Sequence, residues 1–121
     1  MTKKEEFFED MANAIDSWTD AATKAVTEQI SGLTWGANKD SFKHIRQVLL
    51  SHDVPKEVVE EMFRECFQGL AHSFLCTLDG ATALSDTGRI YVVDEDGNEI
   101  GDGLHGDFAE YFFDRKESKE N

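Results

Sequence analysis

The sequence predicts an α+β fold: three N-terminal helices, a small antiparallel β-hairpin or three-stranded sheet, and a C-terminal helix. Three observations carry that expectation. Apolar residues recur at helical spacing over the first two thirds of the chain. A β-branched and aromatic run, RIYVV at 89–93, follows. An acidic, glycine-containing turn, DEDGN at 94–98, then leads into EIGDGL, which reads as the returning strand.

The first helix is marked by Phe8, Met11, Ile15, Trp18, Ala22, Ala25, Gln29 and Leu33, with Phe7, Val26 and Ile30 widening the stripe. Thr2 and Glu5 stand at capping-box spacing, and Gly32 and Gly36 supply a stop. Either one helix covers 3–32 or it breaks near DSWTD. The near-heptad spacing could form a homodimer seam, but the small alanines and Gln29 in the stripe favour packing within the domain. A second, shorter helix starts at Asp40 or Ser41 and turns Phe42, Ile45, Val48 and Leu49 inward, with Lys39, Lys43 and Arg46 forming a basic face. Asp53 is the expected N-cap of a third helix, with Pro55 in its first turn.

That third helix carries the densest apolar pattern in the chain, in adjacent pairs at 58/59, 62/63, 66/67 and 74/75, with Leu70 and Leu78. Its width predicts a central helix with Phe63, Phe67 and Phe74 in the core. Asp79-Gly80 stops it. ATAL at 81–84 offers a third short strand, and Asp107 a cap for a last helix bearing Phe108, Tyr111, Phe112 and Phe113. Phe112 and Phe113 are adjacent apolar side chains that one helix face does not easily bury together. A single domain over 1–116, with a polar tail at 117–121, is the expected organisation.

The net charge is −13. Residues 1–78 hold 13 acids and 8 bases, whereas 79–121 hold 12 acids and 4 bases, so the acidity concentrates towards the C-terminus. Such a surface repels phosphate backbones and disfavours direct nucleic-acid binding, while it attracts a basic protein partner. The apolar runs are too short to span a bilayer, and the lysines and acids of MTKKEEFFED do not form a leader. A cytoplasmic protein is expected, without membrane association. Cys66 and Cys76, about 15 Å apart if on one helix, read as two buried thiols rather than a disulfide.

The stretch from Arg89 to Phe108 is rich in Asp, Glu, Gly and His, and raises the question of a metal loop. An EF-hand is excluded by spacing. With Gly97 at position 6, Val92 falls at position 1; with Gly101 there, Ile100 falls at position 5 and Asp107 at position 12. Residues 94–98 therefore read as a hairpin turn, with Gly97 and Asn98 at its positive-φ positions, and no metal or other cofactor is expected. His52-Asp53 lacks the upstream histidine and downstream aspartate that a metal-dependent phosphohydrolase needs on separate helices. Trp18 and Trp35 read as core or interface residues. There is no Gly-rich phosphate loop, Cys-x-x-Cys or Gly-x-Ser-x-Gly motif.

His72, Asp79 and His105 form the one candidate catalytic set. The ends of the third and last helices could bring them together, and His/Asp pairs do general acid–base work. The stretch from Gly69 to Phe108 resembles, in general style only, small bacterial proteins with a helical front and a hairpin back, and no functional residue is carried over from that likeness. Two functions follow. The first is a non-enzymatic interaction module, an inhibitor or immunity-like protein whose acidic surface blocks a basic partner such as a nuclease. The alternative is a small hydrolase using His72, Asp79 and His105.

Overall fold

The computed structural model describes residues 1–28 and 39–120. The chain is helical: α1 spans Lys3–Thr27, α2 Lys39–Ser51, α3 Lys56–Leu78 and α4 Leu104–Glu120, with a 3₁₀ turn at Ala83–Asp86. No β-strand occurs among the described residues, so the expected α+β class is overturned. ATAL enters the 3₁₀ turn instead of a strand. RIYVV joins its neighbour at a single antiparallel bridge, Val93 to Glu99.

The missing hairpin has a local cause. The reversal at 94–98 is present: Gly97 N–H donates to Asp94 C=O at 3.0 Å and Asp94 N–H to Asn98 C=O at 2.8 Å. Gly97 takes a φ of 82°, whereas Asn98 does not enter the left-handed region. The returning arm is cut off at Ile100, because Gly101 and Gly103 follow with φ of 119° and 71° and turn the backbone away. A two-stranded ribbon is marginal even at full length, and this one has no room to propagate.

The chain divides into two compact units, Met1–Asn13 with Gly69–Asn121, and Ala14–Gln68. In the first unit the start of α1 lies beside α4. Lys4 pairs with Asp107, Phe8 meets Phe108 edge-on at 5.4 Å between ring centres and Tyr111 at 5.9 Å, and Arg115 donates to Asn13 at 3.1 Å. Rising residue number on one helix meets rising number on the other, so this pair runs parallel. Phe8, Ala12, Leu75, Leu78, Leu104, Phe108 and Phe112 form the unit's core. Phe112 is buried and its neighbour Phe113 exposed. Asp107 lies inside the first turn of α4 rather than at its cap.

In the second unit the later part of α1 runs antiparallel to the first part of α3. Arg64 pairs with Asp16, Trp18 meets Phe67 at 6.5 Å between ring centres, and Lys56 reaches Glu28 at 3.6 Å. Arg46 of α2 donates to the Ala25 carbonyl at 2.8 Å. The buried residues are Ile15, Thr19, Ala22, Thr23, Ala25, Val26 and Val59. Thr19 and Thr23 are fully buried, and their hydroxyls donate to the carbonyls one turn back, Ile15 and Thr19, both at 2.6 Å. Each polar group is thereby satisfied without leaving its own helix.

Helix α1 is unbroken from Lys3 to Thr27. Its capping box is formed: Glu5 N–H donates to Thr2 Oγ1 at 3.1 Å and Thr2 N–H to Glu5 Oε2 at 2.9 Å. The proposed stops at Gly32 and Gly36, the stripe positions Gln29, Ile30 and Leu33, and Trp35 lie outside the described residues. Asp53 does not cap α3. It ends α2, with φ of 53°, Val54 N–H donating to Leu49 C=O at 3.1 Å and Asp53 N–H to Leu50 C=O at 3.3 Å. This is the Schellman pattern with aspartate in the place glycine usually takes. Helix α3 ends the same way with Gly80 at φ 72°, through Ala81 N–H to Cys76 C=O at 2.9 Å and Gly80 N–H to Thr77 C=O at 3.2 Å. A Cβ on Gly80 would lie 2.5 Å from Arg89 Nε, so that position needs glycine for space as well as for its dihedral angle.

The expectation of a central α3 fails. Phe63 and Phe67 are half-buried and stack on each other at 5.8 Å, while Phe74 is 53% and Leu70 70% exposed. Cys66 is exposed rather than buried, and Cys76 half-buried, both as free thiols. Among the described residues, no helix is long and apolar enough to cross a membrane.

Candidate functional site

The structure brings His72, Asp79 and His105 together, through a need of the α4 N-terminus. Gly103 occupies the position before that helix, and its carbonyl accepts the first helical bond from Asp107 N–H at 3.0 Å. Having no side chain, Gly103 cannot cap the free N–H groups that follow. Asp79, one residue beyond α3, does so from a distance in sequence: Oδ1 accepts from Leu104 N–H and Oδ2 from His105 N–H, each at 2.9 Å. A carboxylate in this place also meets the positive end of the helix dipole.

The His105 ring adds a further bond, its Nδ1 lying on Asp79 Oδ2. An ionised carboxylate only accepts, so Nδ1 is the donor and Nε2 is left on the outer edge of the ring. His72 stands edge-on to His105, with ring centres 5.5 Å apart and planes at 82°. His72 is exposed and His105 partly so, whereas the Asp79 side chain is only 6% exposed. Burial by itself pushes the Asp79 carboxyl up. The His105 N–H and ring, the Leu104 N–H and the histidine's charge together outweigh it and hold the carboxyl below its ordinary value.

Chemically, the cluster presents an oriented imidazole whose Nε2 can exchange a proton. Asp79 is committed to holding α4, with three N–H donors on its two oxygens. A groove of about 450 Å³ in the same unit is lined by residues including Phe7, Val92, Asp94 and Ile100, and none of the three cluster residues lines it. Asp94 serves the turn, its Oδ1 accepting from Asp96 N–H at 3.0 Å and Asn98 N–H at 2.9 Å. Among the described residues, no three His, Cys, Asp or Glu side chains converge as a metal site would need. His52 and Asp53 are both exposed.

The sequence reading passed over a surface on α3. Val58 and Met62 are 56% and 54% exposed, and Cys66 continues their four-residue spacing. Glu57, Glu61 and Glu65, each one position earlier, are exposed as well. Residues four apart form a ridge on a helix surface, so an apolar ridge and an acidic ridge lie side by side. The signal was present in the adjacent apolar pairs: positions i and i+1 are about 100° apart, so a stripe built from large adjacent pairs is wide for one packed face to cover. No protein-family model matches the chain, and no curated protein or solved structure shows detectable similarity to it.

Proposed function

We propose that this chain is a protein-interaction module that docks a basic amphipathic helix on α3. The supporting observation is the exposed Val58–Met62–Cys66 ridge bordered by Glu57, Glu61 and Glu65. Apolar side chains facing solvent in a row gain free energy when a partner covers them. The flanking glutamates select a partner with lysine or arginine beside its own apolar stripe, and the overall charge of −13 speeds the encounter. In its sharpest form the partner is an enzyme with a cationic surface, such as a nuclease, that this protein blocks.

The test is a calorimetric titration with a synthetic helix bearing a leucine stripe flanked by lysines. Binding should weaken with salt and be lost in Met62→Asp, a change at an exposed position that leaves the fold intact. Binding that survives Met62→Asp unchanged removes α3 as the docking element. The Asp79–His105–His72 arrangement favours a second reading, a small hydrolase with His105 as the proton carrier. Hydrolysis of a chromogenic ester that disappears in His72→Ala and in His105→Gln, with the helical content of each preserved, would support it.

A further inference from the structure

The two imidazoles of the first unit are spaced as a tetrahedral metal ion would space them. With a zinc–nitrogen bond of about 2.0–2.1 Å, each ring centre lies about 3.2 Å from the ion, so two imidazoles on one tetrahedral ion have centres about 5.2 Å apart. The centres of His72 and His105 are 5.5 Å apart. A square-planar or octahedral ion, with neighbouring ligands at right angles, would draw the centres in to about 4.5 Å. The ring planes, at 82° to each other, keep the carbon edges apart when both rings turn a nitrogen to one point.

His105 is prepared as a ligand. The Asp79 carboxylate holds its Nδ1–H, which leaves the lone pair on Nε2 and raises the basicity of that nitrogen. Carboxylates back metal-bound histidines in this way. His72 is exposed, so its ring nitrogens are open to water and to an ion. The pair is flanked by two exposed glycines, Gly69 one turn before His72 in α3 and Gly106 beside His105 in the first turn of α4. A Cβ at either would meet no atom within 4 Å, so packing does not demand glycine there, although glycine weakens a helix. What the two glycines provide is open space beside both rings. The net charge of −13 adds a general attraction for cations.

We propose that His72 and His105 chelate a zinc ion, His105 through Nε2, with Asp79 orienting His105 from behind and water completing the tetrahedron. A closed structural site needs further side chains, and among the described residues no third ligand converges. The chelate is therefore open and exchangeable, with two positions free for water or an incoming ligand. It stands apart from helix docking, because Val58 and Met62 belong to the other unit. It also gives His105 Nε2 an occupant other than the proton that a hydrolase would have it carry.

The test is a calorimetric titration of the full chain with zinc chloride, read together with nitrogen-15 NMR of the histidine side chains. His105 Nε2 and one ring nitrogen of His72 should shift together as zinc is added, while His105 Nδ1 keeps its proton. His72→Ala, at an exposed position, reduces two-point attachment to one and should weaken zinc binding at least about tenfold. Asp79→Asn removes the orienting carboxylate and should weaken it by about 10–100-fold. Because Asp79 also holds α4, helicity is measured for that variant, and His72→Ala decides alone if it is lost. His52→Ala, in the other unit, should leave the affinity unchanged. No binding up to millimolar zinc, binding that ignores His72→Ala, or shifts confined to one histidine overturns the inference and leaves the two rings as an aromatic contact. Full affinity in a folded Asp79→Asn overturns the orienting role of Asp79.

Discussion

Helices α1 and α3 are nearly equal in length, at 25 and 23 residues, and opposite in how their sequences relate to burial. Helix α1 mixes alanine and threonine with a few large apolar residues, yet buries Phe8, Ala12, Ile15, Thr19, Ala22, Thr23, Ala25 and Val26. Helix α3 carries more large apolar side chains and fully buries only Val59, Leu75 and Leu78. Amount of apolar surface is therefore a poorer guide to burial than the size of the side chains that share a face. The adjacent pairs that α1 buries, Ala22/Thr23 and Ala25/Val26, are small. The adjacent pairs of α3 are larger, and Val58, Met62, Cys66 and Phe74 stay exposed.

The largest expected effect tests that contrast within α3 itself. Leu75→Ala, at a position with no exposure, should cost about 2–5 kcal/mol in a urea melt, whereas Leu70→Ala, at 70% exposure, should stay within about 0.5 kcal/mol. Similar costs at both positions would break the comparison.

Next is the end of α3, where one side chain is decisive. Asp79→Ala leaves the N–H groups of Leu104 and His105 without an acceptor and should cost about 2–4 kcal/mol. The pH dependence follows from the depressed carboxyl. Its folded pKa lies below the unfolded one, so its stabilisation is complete above the unfolded value of about 3.9 and is lost as pH falls through the folded one. Melts below about pH 4 should lose stability less steeply in Asp79→Asn than in the wild-type chain.

For α1, the seam requires small residues rather than apolar ones. Thr19→Val keeps the shape and removes a hydroxyl bonded only within its helix, so it should change stability by less than about 1 kcal/mol. Thr19→Leu should overpack and cost about 1–3 kcal/mol. A neutral Thr19→Leu would show that the seam is looser than its burial implies.

The smallest effect compares two helix ends of the same design. Asp53→Gly removes a side chain from a left-handed position and should stabilise by about 0.5 kcal/mol, net of glycine's greater unfolded-state freedom. Gly80→Asp should destabilise, because the new Cβ meets Arg89. Differential scanning calorimetry of the two variants reads opposite shifts if the ends differ in that way.

Local chemistry was legible without coordinates. The Thr2–Glu5 capping box, the Asp79-Gly80 stop, the turn at 94–98 and the failure of that loop to match a calcium site follow from residue types at fixed short spacings, where the interacting groups are neighbours in the chain. The meeting of His72, Asp79 and His105 was also legible as a juxtaposition, since two helix ends and a loop carry them. Tertiary structure alone decided what that meeting is for. Gly103 left the start of α4 without a cap, and a carboxylate 25 residues before Leu104 supplied it. It also decided the class of the fold. RIYVV has strand propensity, but a strand exists only as part of a ladder, and Gly101 and Gly103 turn the intended partner away after one bridge. The faces of α3 were settled the same way: 3.6 residues per turn make adjacent apolar positions compete for one core, and only the packing of the other helices chose between them.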